Sequence, residues 1–259
     1  MNRRIFSALS VLLAALTLAS CTASAQQVKT YGYKVEEGLP HDAASYTQGL
    51  FFHDGVLYES AGQYGESSFR QVDLKTGRVE RRMNFDGRYF AEGSCVLGDH
   101  LYVLTWREQE CFVYDIRSWN KLGSFRYLGE GWGLTTDGKS LIMSDGTSTL
   151  TFRNPETFVA ERTVTVTLNG QKVLYLNELE YIKGEVWANV YGTDQIVRID
   201  PSTGEVRGVV NLRNLLPVQL RTRATDVLNG IAYDPKSGAV YVTGKYWPKM
   251  YRITLVEKK

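Results

Sequence analysis

Between residues 30 and 255 apolar positions come in short runs that alternate with polar ones, and most runs stop at a glycine or an Asp-Gly pair. A period of two broken repeatedly by turn signals predicts β-strands rather than helices. The runs are organised into a repeating unit. An apolar strand meets a Gly-containing turn, a second strand carries a Tyr or Trp, and a third ends in a turn such as Asp73-Leu74-Lys75-Thr76-Gly77. The clearest copies run from Gly49 to Tyr58 and from Gly93 to Tyr102, and three more span Gly133 to Met143, Leu179 to Val190 and Gly230 to Val242. With Gly49, Gly93, Gly133, Leu179 and Gly230 as equivalent points, the spacings are 44, 40, 46 and 51 residues. This is the length of a four-stranded propeller blade. The predicted fold is all-β, a five-bladed β-propeller of four-stranded blades. The last unit has room for only three strands, whereas Gln27 to Glu36 supply one strand ahead of the first unit. That N-terminal strand is expected to complete the last blade and close the ring, which removes its exposed edges.

In such a ring the innermost strands line a central channel, so the residues just before the equivalent points should face one small space. They are Gln48, Glu92, Trp132, Glu178 and Asn229, and none is aliphatic. Buried polar groups without partners cost about 1–3 kcal/mol each, so the choice points either to a binding site or to a mutually hydrogen-bonded, water-filled channel. Tyr46, Phe90 and Trp132 surround Glu92 on this reading, and an apolar wall raises a carboxyl pKa toward the range useful for proton transfer. Asn177 offers an amide beside Glu178, or else serves as a turn residue. Lys245, just past the second strand of the last unit, reads by itself as a solvated surface charge. The three histidines, His41, His53 and His100, are too dispersed to converge on a metal or a serine, and H-E-x-x-H, G-x-S-x-G, phosphate-loop and C-x-x-C motifs are absent.

Composition adds limits. The 24 Gly, 16 Tyr, 10 Phe and 5 Trp against 4 Met and 6 Pro suit many short strands. Arg3 and Arg4 precede an apolar run from Ile5 to Ala19, the pattern of an export signal over residues 1–25. Its end, Leu18-Ala19-Ser20-Cys21, is similar to a bacterial lipobox, in which Cys21 becomes the lipidated N-terminus; the competing cut follows Ala23-Ser24-Ala25. Either cut predicts an exported protein, in the bacterial periplasm or anchored by lipid to the outer membrane. Residues 26–259 then form a single propeller domain with 28 basic and 28 acidic side chains, a balance that excludes gross attraction to nucleic acid. Cys95 and Cys111 fall on the first and third strands of one unit, about 9.6 Å apart across two inter-strand spacings, so two buried free thiols are expected.

Several motifs occur in order along nearly the whole mature chain: Tyr46-Thr47-Gln48-Gly49-Leu50, Phe90-Ala91-Glu92-Gly93, Gly129-Glu130-Gly131-Trp132-Gly133-Leu134, Leu176-Asn177-Glu178-Leu179-Glu180-Tyr181, Trp187-Ala188-Asn189-Val190, Asp226-Val227-Leu228-Asn229-Gly230 and Thr243-Gly244-Lys245-Tyr246-Trp247-Pro248. Together they resemble the plant-type and bacterial glutaminyl cyclotransferases. The resemblance implies a five-bladed propeller that converts N-terminal glutamine into 5-oxoproline with release of ammonia, acting as a monomer on peptides or small amides. It implies Glu92 as acid/base, Gln48, Asn177 and Lys245 as polar site residues, and Tyr46, Phe90 and Trp132 as aromatic walls. Tyr46 and Tyr191 depart from the plant pattern, which carries Phe and Trp there, and add hydroxyls to the site. No catalytic cofactor is implied, although a structural calcium in the channel is compatible with the chemistry. Two other classes stay open: a calcium-dependent lactonase-type hydrolase, for which Glu92, Asn177, Asn229 and Asp226 offer hard oxygen ligands, and a non-catalytic envelope scaffold.

Overall fold

The computed structural model describes residues 27–258. The segment read as an export signal, with Cys21, lies outside the described residues. The first strand is β1 (Lys29–Pro40). The first sheet holds β2 (Thr47–His53), β3 (Val56–Ala61), β4 (Ser68–Val72) and β5 (Val79–Asn84); the second holds β6 (Ala91–Leu97), β7 (His100–Thr105), β8 (Glu110–Asp115) and β9 (Lys121–Arg126). The third is β10 (Leu134–Thr136), β11 (Leu141–Met143), β12 (Thr149–Arg153) and β13 (Ala160–Thr165). A small hairpin, β14 (Thr167–Leu168) and β15 (Gln171–Lys172), follows. Then come β16 (Leu176–Ile182), β17 (Glu185–Val190), β18 (Gln195–Ile199) and β19 (Val206–Asn211), and finally β20 (Leu228–Asp234), β21 (Ala239–Gly244) and β22 (Lys249–Glu257). Among the described residues the only helical turn is the 3₁₀ segment Val218–Leu220. The fold is all-β, as the alternation predicted.

The final unit has three strands of its own, and β1 supplies the next: it runs antiparallel to β22 from Tyr31 opposite Glu257 to Pro40 opposite Lys249. Its first residues also pair in parallel with Gly208–Val210 of β19, so the last two units share one eight-stranded sheet.

Strand alternation explains how the sheets stack. On β7, Leu101 and Val103 enter one apolar cluster with Phe51, Tyr58 and Phe69 of the first sheet, whereas Tyr102 and Leu104 enter another with Leu134, Leu141 and Met143 of the third. Inner strands are therefore buried on both faces, and their sequences read as nearly continuous apolar runs. Five such clusters fill the gaps between consecutive units, including one between the last and the first that joins Leu50 and Leu57 to Ala232 and Met250. The outer strands β5, β9 and β13 are mostly exposed and carry the charge. Cys95 and Cys111 lie buried and unpaired in the gap between the second and third sheets, as expected.

The first strands of the units meet in cyclic order, β2 on β6, β6 on β10, β10 on β16, β16 on β20 and β20 on β2. Glycine makes this approach feasible. A Cβ on Gly49 would lie 2.7 Å from the Ser94 backbone nitrogen, and one on Gly93 would lie 2.4 Å from that of Leu134.

Candidate active site

Four of the five inner strands, all but β10, carry an irregularity where they reach the centre. Pairing register shifts between Thr47 and Gly49, Ala91 and Ser94, Leu176 and Leu179, and Leu228 and Ile231. The residues within the shifts are Gln48, Glu92, Asn177 with Glu178, and Asn229. A bulge interrupts the alternation and re-aims a side chain, which here turns polar groups out of the sheet and toward the axis. Hydroxyls of the preceding sheet hold two of the bulged carbonyls: Ser60 donates to the Glu92 carbonyl at 2.6 Å and Ser144 to that of Asn177 at 2.7 Å.

These bulges correct the equivalence taken from the sequence. Leu176, like Ala91, pairs with the last residue of the following strand, so Asn177 corresponds to Glu92, and Glu178 to Gly93. Glu178 accordingly does not line the cavity. Its carboxyl accepts the Leu50 N–H at 3.3 Å and the Ile231 N–H at 2.9 Å, bracing three inner strands. Burial, together with the neighbouring Glu180, pushes the Glu178 carboxyl well above the usual range.

The cavity has a volume of about 310 Å³ and is lined by Tyr46, Gln48, Gln63, Phe90, Glu92, Trp106, Trp132, Asn177, Tyr191 and Lys245. Its floor is a directed chain of amides. Asn229 lies behind the lining, fully buried, and donates through Nδ2 to the Thr47 carbonyl at 2.9 Å and to Gln48 Oε1 at 3.4 Å. Gln48 in turn donates through Nε2 to Glu92 Oε1 at 3.0 Å. Burial drives the Glu92 carboxyl well above the ordinary carboxylate range, against the opposing charge of Lys245. The Asn177 side-chain oxygen is buried and has no hydrogen-bond partner, a cost of about 1–3 kcal/mol that a bound molecule would relieve.

Lys245 is only 3% exposed, which overturns its reading as a solvated charge. Its ammonium sits 4.3 Å from the Tyr46 ring centre and 5.3 Å from that of Tyr191. Burial lowers its pKa to about 8, against the pull of Glu92 and Asp226. Asp226 accepts the Val227 N–H at 2.7 Å and does not line the cavity, so Asp226 and Asn229 are engaged elsewhere rather than converging with Glu92 and Asn177. Among the described residues no group of three or more His, Cys, Asp or Glu is placed to hold a metal ion.

Three participants escaped the sequence reading. Trp106 and Gln63 line the cavity, and Glu130 fixes two of its walls: Oε2 accepts the indole N–H of Trp106 at 2.7 Å and of Trp132 at 3.0 Å, while Oε1 accepts from Arg107 at 3.1 Å. Although burial works to raise it, those donors hold the Glu130 carboxyl below its usual pKa. Trp106 was findable, because it is the first residue after the second strand of its unit, as Tyr191 and Lys245 are of theirs.

Beneath Tyr46 and Gln48 lies a buried charged network. The His41 ring faces an acceptor at each nitrogen, the Trp247 carbonyl 2.7 Å from Nδ1 and Glu59 Oε1 3.1 Å from Nε2, which selects the imidazolium. Glu59 Oε1 also accepts from Ser45 at 2.5 Å and Thr47 at 2.7 Å, and Arg70 stands 4.0 Å from Oε2. Burial opposes both charges, yet the pair raises the His41 pKa and holds Glu59 at about 2.

The profile of the family described as glutamine cyclotransferase matches residues 8–255. The chain belongs to the glutamine cyclotransferase family. It is 47% identical over 221 residues to a glutaminyl-peptide cyclotransferase of Arabidopsis thaliana, across 84% of this chain and 69% of that relative. The crystal structure of Myxococcus xanthus glutaminyl cyclase is similar with a TM-score of 0.84 at 35% identity, covering 90% of this chain and all of that one. Within this family the bulged Gln48, Glu92 and Asn177 are the natural residues to examine for chemistry.

Proposed function

We propose that this protein is a glutaminyl-peptide cyclotransferase that converts an N-terminal glutamine into 5-oxoproline and releases ammonia. The observation that carries the reading is the setting of Glu92: a buried carboxyl with a raised pKa, oriented by Gln48, inside an aromatic cavity of a chain that belongs to this family. The cyclic packing of five inner strands and the seating of β1 against β22 support a five-bladed propeller closed by its N-terminal strand.

In this reaction the substrate's own α-amine attacks its γ-carboxamide carbon, so the protein supplies geometry and proton management rather than a nucleophile. One C–N bond forms as the bond to the departing nitrogen breaks. Glu92 takes a proton from the attacking amine and gives it to the leaving nitrogen, which departs as ammonia. Burial makes the Glu92 carboxylate a stronger base than usual for the first half of that transfer, and its protonated form is the acid for the second. Tyr46, Phe90, Trp132 and Trp106 confine the glutamine in its folded conformer, an entropic contribution that can reach several kcal/mol. Lys245, Asn177 and Gln48 surround the carbonyl oxygen as charge develops, and well-placed donors of this kind contribute about 2.7–4 kcal/mol each. None of these steps calls on a metal. The export segment supports a periplasmic or lipid-anchored protein, and the intact mass of the exported protein decides between lipidation at Cys21 and cleavage after Ala25.

The test is ammonia release from a glutaminyl dipeptide by the domain beginning at Gln26, with and without chelator, beside Glu92→Gln. Chelator-resistant release that the variant loses by at least about 100-fold is the expected outcome. Folded wild-type protein that releases no ammonia would overturn the reading and turn attention to the hydrolase and scaffold classes.

A further inference from the structure

Tyr191 lines the cavity, is 37% exposed, and stands edge-on to Trp132 with ring centres 5.7 Å apart and planes at 77°. Its N–H donates to the Tyr175 carbonyl at 2.8 Å, and the Tyr175 N–H donates to the Gly146 carbonyl at 2.8 Å. Gly146 lies under the Trp132 ring so closely that a Cβ there would come within 2.7 Å of it. Tyr175 is thus tied through its backbone to two residues that touch the Trp132 wall. It adopts φ of +64°, a left-handed conformation unfavourable for an aromatic residue. Its side chain is nevertheless 56% exposed, and that of the adjoining Leu174 is 49% exposed. Strain that presents an apolar side chain to water, at the edge of a cavity, calls for a ligand.

We propose that Leu174, Tyr175 and Tyr191 form a downstream subsite that receives an apolar or aromatic side chain following the substrate's N-terminal glutamine. The assignment rests on the cyclotransferase reading and defines the substrate class of the same site. A glutamine held in the cavity is covalently joined to the rest of its peptide, which must leave across the rim. The Tyr175 backbone is hydrogen-bonded to that of Tyr191, which lines the cavity, so the exposed pair adjoins the rim that the next residues must cross. An aromatic side chain laid on such a platform gains roughly 1 kcal/mol, or about fivefold.

The experiment compares kcat/KM for glutaminyl-phenylalanine amide and glutaminyl-glycine amide in the wild type and in the double variant Leu174→Ser, Tyr175→Asn. Asn is well suited to the left-handed backbone at 175, so the variant's melting temperature should stay close to that of the wild type. The expected result is a phenylalanine-to-glycine ratio of about five in the wild type, falling to near one in the variant. A wild-type ratio near one overturns the subsite, as does a ratio that survives the double substitution. Sedimentation at the assay concentration provides a further check, because a dimer abolished by the same substitutions would assign the surface to a second copy of the chain and also overturn it. Failure of the wild type to cyclise glutaminyl-glycine amide at all would be a different result, since that refutes the cyclotransferase reading itself.

Discussion

Glu59→Gln tests whether the buried ion pair under the cavity holds up the strand that carries Tyr46 and Gln48. The substitution keeps size and one acceptor for Ser45 and Thr47 but removes the charge that His41 and Arg70 face. Breaking one side of a buried pair costs about 3–5 kcal/mol when the other charge stays behind. For a domain of this size that is a fall of about 6–20 °C in melting temperature. The cost must depend on pH with a definite sign. The His41 pKa is raised in the native state, so its contribution is complete below its unfolded value of about 6.5 and fades as pH rises through the folded value. The Glu59 pKa is lowered to about 2 from an unfolded value near 4.3, so its contribution, about 3 kcal/mol, is present above the latter and lost as pH falls toward 2. The variant should therefore lose most near pH 5.5, lose less as pH rises through the folded His41 value because only the His41 share of the cost disappears while that of Arg70 stays, and show a flatter acid limb. Asp42, which accepts from Arg70 at 2.9 Å, is the other charged group facing this cluster and remains in both proteins. Thermal unfolding followed by circular dichroism from pH 2.5 to 8.5 measures these differences. A loss below about 1 kcal/mol at pH 5.5, or one of equal size at every pH, would refute the charge argument.

Two further expectations concern other carboxylates. Glu130→Ala frees the indole N–H groups of Trp106 and Trp132; kcat/KM should fall about tenfold or more through misplaced walls, with the melting temperature lowered by less than about 8 °C. Unchanged kinetics would remove Glu130 as a positioning residue. Glu180, which accepts the Tyr233 N–H at 2.9 Å, has its pKa raised by burial to about 8. The protonated form stabilises the native state below its unfolded value near 4.3, and that stability is lost as pH rises through about 8, so Glu180→Gln should gain on the wild type by about 3.5 kcal/mol between pH 5 and 8. Urea unfolding at the two pH values checks it, and a pH-independent difference would show that the carboxyl is already ionised in the native protein.

The amino-acid sequence by itself determined the all-β class, the spacing of the repeated units, the three-stranded final unit and the extra strand that precedes the first. These follow from local alternation and turn residues, which act over a few positions and need no knowledge of distant neighbours. It also marked Gln48, Glu92, Trp132 and the aromatic company of Glu92, because polar and aromatic residues recur at one point of an otherwise apolar repeat. Only the tertiary structure decided which of those side chains converge. The bulge at Asn177 and Glu178 offsets the fourth unit by one residue, and with a side-chain period of two such an offset sends Asn177 to the cavity and Glu178 to the backbones of β2 and β20. Lys245 and His41 show the same limit. Their local sequence is that of solvated turns, and their burial is imposed by elements far away in the chain, Tyr46 and Tyr191 around the ammonium and Glu59 against the imidazole. Desolvation and pairing are properties of the packed arrangement of sheets, and no window of residues short enough to read along the chain contains them.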